Sequence, residues 1–374
     1  MRILYVYDVI ARFGGMERVI VDKMNCFSKM GNMEVYLITT NQGQHPIPFE
    51  LDSKVHYEDL KVQTHLQYRY RGLRRLWERF RRNKMLNHRM ADKIQMIQPD
   101  VLICTTSRLV STMVKLKRGI PLVAESHSDF ENVMENEGNS LWSRIKAKRH
   151  FRKLQKVTAI VTLTKEDANA WKTIHSSVYV IPNLVHLNDT KEYSRCGAQR
   201  AIYVGRYCNQ KGLPELLSIW TIVHQRHPEW ILDMYGDGEL DDWLRRQIAD
   251  LNIGIRVNHP VKDVFRCYIN SSVMLLTSTW EPFGLVLPEA MSCGIPVVSF
   301  AGLKGPDSII TDGGDGYLVK NRSVDDFADR VCLLIENPRL RQEMGKKAIL
   351  SSQRYKAENI MPMWKDLFES LVKR

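Results

Sequence analysis

The stretch "SVMLLTSTWEPFGLVLPEAMSCGIPVVSF", Ser272 to Phe300, decides how the chain folds. It opens on an apolar run, passes through a polar loop, continues as a helix-compatible segment and closes on a second β-branched run after Gly294. Two short apolar runs around such a segment form a β-α-β crossover, whose strands lie parallel and buried on both faces. Pro288 suits the first turn of the helix, where a missing N–H costs little. At this hand-over stand two carboxylates, Glu281 in the loop and Glu289 in the first turn.

Outward from this unit the same rhythm holds in both directions. "RILYVYDV", "EVYLITT", "DVLICTTS", "IPLVAESH" and "AIVTLT" read as strands, with helical stretches between. Near Ile181-Pro182-Asn183 the alternation pauses, and the polar segment that follows, with Gly197 in it, reads as a linker. "RAIYVGR" and "WILDMYG" then restart it, followed by the opening unit. The expectation is an α/β protein of two doubly wound parallel-sheet domains, 1–184 and 185–355.

Composition narrows the class. The longest apolar runs fall far short of the roughly 20 residues a bilayer span needs. The N-terminal run is interrupted by Asp8 and Arg12, so it reads as a first strand and not as a signal peptide. Seven scattered cysteines without a C-x-x-C point to reduced thiols in a cytosol and away from a disulfide framework or zinc site. No D-x-D triplet offers a carboxylate site for a metal, and none is expected. Residues 1–200 carry 33 Lys and Arg against 20 Asp and Glu, while the net charge of the whole chain is +12. The first half therefore holds all of the excess, which suits an anionic partner for one domain only.

Much of that excess sits in "YRYRGLRRLWERFRRNK", Tyr68 to Lys84. Leu73, Leu76, Trp77 and Phe80 fall on one helical stripe, beside Arg74, Arg75, Arg81 and Arg82. One reading is an amphipathic helix lying on an anionic membrane surface. The other is a core-packed helix with a solvated basic face. No nucleic-acid motif accompanies the arginines, so no nucleic-acid partner is expected.

Four further motifs lie at strand ends, where ligands of open α/β sheets bind. In "FGGMERV", Gly14 and Gly15 lead into a helix N-terminus suited to an anion, or simply make a tight turn. In "VGRYCNQKG", Arg206 and Lys211 suit a diphosphate, unless they are solvated loop charges. "YGDGEL" lets some neighbour approach its backbone. His127, in "AESHSDF", is either a structural histidine or a site residue. In the opening stretch the N–H groups around Gly284 and Leu285 suit a phosphate, and two ionised carboxylates suit the vicinal hydroxyls of a sugar and a ribose. Alternatively Glu289 is a favourable first-turn charge and Glu281 a surface acid.

Taken in order, these elements resemble the retaining glycosyltransferases of family 4. The motifs are Gly14–Glu17, His127, "VIPNLV", Arg206 with Lys211, "YGDGEL", Glu281 with Glu289, and "GLKGPDSIITDGGDGYLV". The resemblance implies the GT-B fold, two facing Rossmann-like domains with a cleft between them, and a last segment, 356–374, that crosses back to the first domain. It also implies transfer of a hexose-type sugar from a nucleotide sugar, UDP being the family's habit, with no further cofactor or metal. Arg206 and Lys211 would then bind the diphosphate, Glu289 the ribose and Glu281 the donor sugar. Gly14 and Gly15 would lie near the donor phosphate or acceptor, and His127 near the donor sugar or acceptor. A glycan or lipid-linked acceptor at the inner face of the cytoplasmic membrane would fit the basic first domain. Two departures are visible: Pro260 stands where the family often has glycine, and "EPFG" replaces Glu-Gly-Phe-Gly. Other classes fit less well: a nucleotide-sugar 2-epimerase or phosphorylase on the same fold, a nicotinamide oxidoreductase, which lacks its G-x-G-x-x-G, or a non-catalytic binding protein.

Overall fold

The structure is a computed structural model and describes residues 1–11, 14–107, 109–135, 141–249 and 251–373. Arg12 and Phe13, quoted above with the Gly-Gly turn, lie outside the described residues. The chain divides into two compact units, Met1–Leu184 with Ala357–Arg374, and Val185–Lys356.

The first unit is built on seven parallel strands: β1 (Arg2–Tyr7), β2 (Glu34–Thr39), β3 (Val55–Asp59), β4 (Val101–Thr105), β5 (Leu122–Glu125), β6 (Ala159–Thr162) and β7 (Val178–Val180). Their order is β3-β2-β1-β4-β5-β6-β7. Side chains alternate across the sheet, as a period of two requires. Ile3 and Tyr5 of β1 join a core with helix α1 (Gly15–Ser28) and the C-terminal helix Ala357–Val372. Leu4 and Val6 join the opposite core, with Leu86, Met90 and Ile94 of helix α2 (Gly72–Ile97). Phe27, Trp364 and Phe368 interlock on the first face, with Phe27 edge-on to Trp364 at 6.3 Å.

The second unit has six parallel strands: β8 (Arg200–Val204), β9 (Ile231–Tyr235), β10 (Ile255–Asn258), β11 (Val273–Leu276), β12 (Val297–Phe300) and β13 (Gly316–Val319). Their order, β10-β9-β8-β11-β12-β13, repeats the plan of the first sheet. In each sheet the order reverses once, between β1 and β4 and between β8 and β11. A crevice opens beyond the carboxyl ends of the strands at such a switch point. The β8–β11 pairing therefore sets the loop carrying Arg206 and Lys211 beside the loop carrying Glu281.

The chain passes from one unit to the other at Leu184 and Val185, where the linker is expected. The segment there is packed down: Leu184, Val185, Leu187 and Cys196 are buried, and the buried Arg341 donates to the Cys196 carbonyl at 2.9 and 2.7 Å. Of the two readings of the Leu73–Phe80 stripe, packing into a core does not hold. The buried face of α2 runs through Glu78, Arg82, Leu86, Met90 and Ile94, each four residues on, whereas Leu73, Leu76, Trp77 and Phe80 are 60% to 84% exposed.

Candidate active site

Between β8 and the helix Leu213–Arg226 the chain makes one short turn, Asn209–Lys211, and reverses at Gly212 with φ +60°. A Cβ on Gly212 would stand 2.1 Å from the Thr277 carbonyl oxygen, so glycine is required both by conformation and by the approach of the β11 loop. The neighbour that "YGDGEL" admits is likewise protein: a Cβ on Gly236 would meet the Gly205 carbonyl oxygen at 2.0 Å. Three strand-end loops are thus pressed backbone to backbone.

The β11 loop is held nearly atom by atom. Arg322 donates to the carbonyls of Thr277 (3.2 Å) and Ser278 (2.9 Å) and to Glu215 (3.1 Å), its guanidinium lying 4.3 Å over the Phe300 ring. Gln210 donates to the Trp280 carbonyl (2.9 Å) and accepts from the Thr279 N–H through its own carbonyl (2.8 Å). The Gly305 N–H donates to the Glu281 carbonyl at 3.0 Å. That last bond gives a physical role to "GLKGPDS", which backs the loop. Pattern reading missed Arg322, because it belongs to no motif. The chain reaches it through two left-handed residues, Asn321 and Arg322.

On this scaffold two expected site residues meet each other. Lys211 Nζ donates to Glu281 Oε2 at 2.5 Å, and Ser278 Oγ donates to the same oxygen at 3.0 Å. Glu281 is buried and Lys211 half-buried, so the pair is shielded from water and strong for an ion pair. Arg206 is exposed, its guanidinium a long 3.5 Å from Gln210 Oε1. An anion entering here would meet one open cation and one that must exchange a carboxylate for the ligand. Glu289 lies in the first turn of the helix Val286–Ser292 and is buried, facing Tyr268. Burial, and then the Glu289 charge, hold the Tyr268 hydroxyl well above its ordinary range. Gly284, at φ +87°, turns the chain into that helix by way of Leu285.

In the first unit His127 follows β5 and is buried. Its Nε2 stands 3.5 Å from Glu125 Oε2. Glu125 is also bound by Lys23 and by the Tyr5 hydroxyl, the latter at 2.5 Å. Burial alone would raise the Glu125 carboxyl; Lys23 and then His127 outweigh it and hold it well below the usual carboxylate range. Gly14 is extended (φ −108°) and caps α1, with Gly15 as the first helical residue. The Glu17 carboxylate folds back over Gly14, where a Cβ would meet it at 2.2 Å. A carboxylate of the chain itself therefore already lies at this turn.

The basic stripe divides. Arg74 and Arg75 stack on Tyr70 and Tyr68 at 4.5 and 4.7 Å, and Arg81 lies 5.6 Å over the exposed Trp77. Arg82 does not belong with them. It is buried, paired with Glu78 at 3.3 Å, and donates to the carbonyls of Val62 (2.8 Å) and Gln63 (3.1 Å). Its place on the buried face corrects the expectation that it meets a membrane or acceptor. All seven cysteines are unpaired, and among the described residues no helix is long and apolar enough to cross a membrane.

Two Rossmann-like parallel-sheet units in one chain, each with its switch point, define the GT-B class of glycosyltransferase fold. The chain belongs to the group 1/family 4 glycosyltransferases: the family described as Glycosyltransferase Family 4 matches residues 13–189, and that described as Glycosyl transferases group 1 matches residues 190–350. It is 26% identical over 365 residues to an uncharacterized glycosyltransferase of Haemophilus influenzae, covering 96% of this chain and 97% of that one. It is 27% identical over 376 residues to the amylovoran biosynthesis glycosyltransferase AmsD of Erwinia amylovora, covering 98% and 99%. Among solved structures, an S. aureus TarM mutant in complex with fondaparinux, alpha-GlcNAc-glycerol and UDP matches with a TM-score of 0.76 at 15% identity, covering 98% and 99%.

Proposed function

We propose that this enzyme is a retaining, metal-independent hexosyltransferase that uses a UDP-sugar to extend a lipid-linked or polysaccharide acceptor in cell-surface glycan synthesis. The observation that carries the reading is the meeting of Lys211 and Glu281 at the β8–β11 switch point, on a loop whose carbonyls are tied down. In the reaction Arg206 and Lys211 take the diphosphate and stabilise the charge that grows on it as the glycosidic bond breaks. Lys211 leaves Glu281 to do so, which frees that carboxylate to accept from the donor sugar's hydroxyls. Glu289 takes the ribose, the N–H groups at Gly284 and Leu285 a phosphate oxygen, and His127 the sugar or acceptor. Gly14 and Gly15 line the approach of the donor phosphate or acceptor. The leaving phosphate accepts the acceptor's proton, so the protein's share is charge and position. AmsD is named for amylovoran biosynthesis and the TarM complex holds UDP, which supports both the substrate class and the nucleotide.

The exposed Leu73, Leu76, Trp77 and Phe80, framed by Arg74, Arg75 and Arg81, support docking on an anionic inner membrane face.

A thermal-shift panel of UDP-, GDP- and ADP-sugars tests the donor; a UDP-sugar is expected to raise the melting temperature most. With that donor, Lys211→Ala and Glu281→Ala are each expected to lose about 10²–10³-fold in kcat or more while remaining folded. Wild-type turnover in either variant removes the site assignment. Undiminished transfer in excess chelator, and a product of unchanged anomeric configuration by NMR, check the remaining terms.

A further inference from the structure

Lys23 is one of the most deeply buried side chains in the first unit, and nothing in the reaction as proposed uses it. It is 1% exposed, on the inner face of α1, with its ammonium 5.0 Å from the Tyr5 ring and 4.6 Å from the Trp364 ring. Its partner Glu125 is 2% exposed at the end of β5. A buried ion pair is costly to assemble and of little net benefit to stability, so its presence calls for a reason other than stability.

The reason lies two residues on. One Glu125 oxygen, Oε1, is bound by Lys23; the other, Oε2, accepts from Tyr5 OH and faces His127 Nε2 at 3.5 Å. That nitrogen is buried and makes no hydrogen bond of ordinary geometry. At 3.5 Å a small rotation of the ring closes the contact, and hydrogen bonds around reacting groups commonly shorten once a ligand is held. Because Lys23 already neutralises the carboxylate, Glu125 offers the imidazole an acceptor without an uncompensated negative charge. The ring is therefore faced by an acceptor whose charge is already balanced.

We propose that Glu125, neutralised by Lys23 and steadied by Tyr5, is the positioning residue for His127. It takes the Nε2–H and presents Nδ1 as an acceptor toward a hydroxyl of the bound sugar or acceptor. The proposal rests on the reading of His127 as a site residue. Among the described residues Glu125 also acts on Tyr7 of β1 and Cys104 of β4, both neutral at ordinary pH because burial raises them. Trp364, from the C-terminal helix, covers the Lys23 ammonium with an apolar ring.

The test is the titration of the His127 imidazole, followed by ¹⁵N NMR in the whole protein. In Lys23→Met the carboxylate loses its counter-charge, and the His127 midpoint is expected to rise by about one pH unit or more. In Lys23→Met/Glu125→Leu the acceptor is gone and no buried charge remains, which protects the fold. There the midpoint is expected to fall back to or below the wild-type value, and the Nε2–H signal to lose its downfield, hydrogen-bonded position. A His127 midpoint and ring shifts that match wild type in both variants would overturn the proposal. Failure of the underlying reading shows elsewhere: a His127→Ala variant that still releases UDP from UDP-glucose or UDP-N-acetylglucosamine at the wild-type rate removes His127 from the site. The titration decides the Glu125–His127 coupling in either case.

Discussion

At the carboxyl edge of the second sheet the loops are fixed by backbone against backbone, at places where only a glycine leaves room. At the same edge of the first sheet the fixing is done by charged side chains sealed from water, Lys23 and Glu125 with Tyr5. The first device sets the shape of the surface to which we assign a ligand's phosphates and hydroxyls, and the glycine contacts themselves need no counter-charge. The second sets the angle of one ring, and it depends on two charges remaining equal. The two should therefore fail differently: a glycine clamp sterically and at any pH, a buried pair electrostatically and with a marked pH dependence.

The largest effect is expected from unbalancing the pair. Lys23→Met leaves Glu125 buried without its lysine counter-charge and should cost about 3–5 kcal/mol by urea denaturation at pH 7. The wild-type Glu125 carboxyl is held below its ordinary range. Its contribution is thus complete above the unfolded value of about 4.3 and is lost as pH falls toward the folded value. The gap between variant and wild type should narrow in denaturation curves taken below about pH 4.

Gly236→Ala should cost about 3 kcal/mol, because the obstructing atom is the Gly205 carbonyl oxygen and cannot swing away. The loss should be equal at pH 4 and pH 7; a pH-dependent loss would erase the contrast between the two sheets. Arg322→Met keeps a stem against Phe300 but frees the Thr277 and Ser278 carbonyls. About 1–2 kcal/mol of stability is expected to go, with a fall in kcat that exceeds the change in KM. The smallest effect is at the surface. Replacing Arg74, Arg75 and Arg81 by glutamine should weaken sedimentation with anionic vesicles by roughly 1 kcal/mol per charge, more so at low salt. Unchanged co-sedimentation would end the membrane reading, and Arg82, being buried, is left out of the set.

How far the sequence foretold this follows the same division. The central strands announced themselves as apolar runs because parallel strands bury both faces; ILYV of β1 and VMLL of β11 are examples. The edge strands did not. VHYED of β3 is exposed along its middle, and the short β7, β10 and β13 give no periodic signal. The stripe on α2 predicted a helix but not its inner face, because that face begins with a salt bridge, Glu78 to Arg82, which hydrophobicity cannot register. Glycines and strand-end charges stood out in the second unit, since each carries a conformational or chemical reason of its own. Lys23, Glu125 and Arg322 did not stand out. A lysine on a helix reads as surface until the rings that cover it are known.

Those covering rings bear on how the protein is made. Trp364 and Phe368 seal the inner face of α1, yet they leave the ribosome only after the whole of Val185–Lys356 has been synthesised. During translation the nascent first unit waits with Phe27 and Lys23 uncovered, an adhesive surface for chaperones or for other unfinished chains. A fragment ended at residue 184 should behave as that intermediate and not as an autonomous domain.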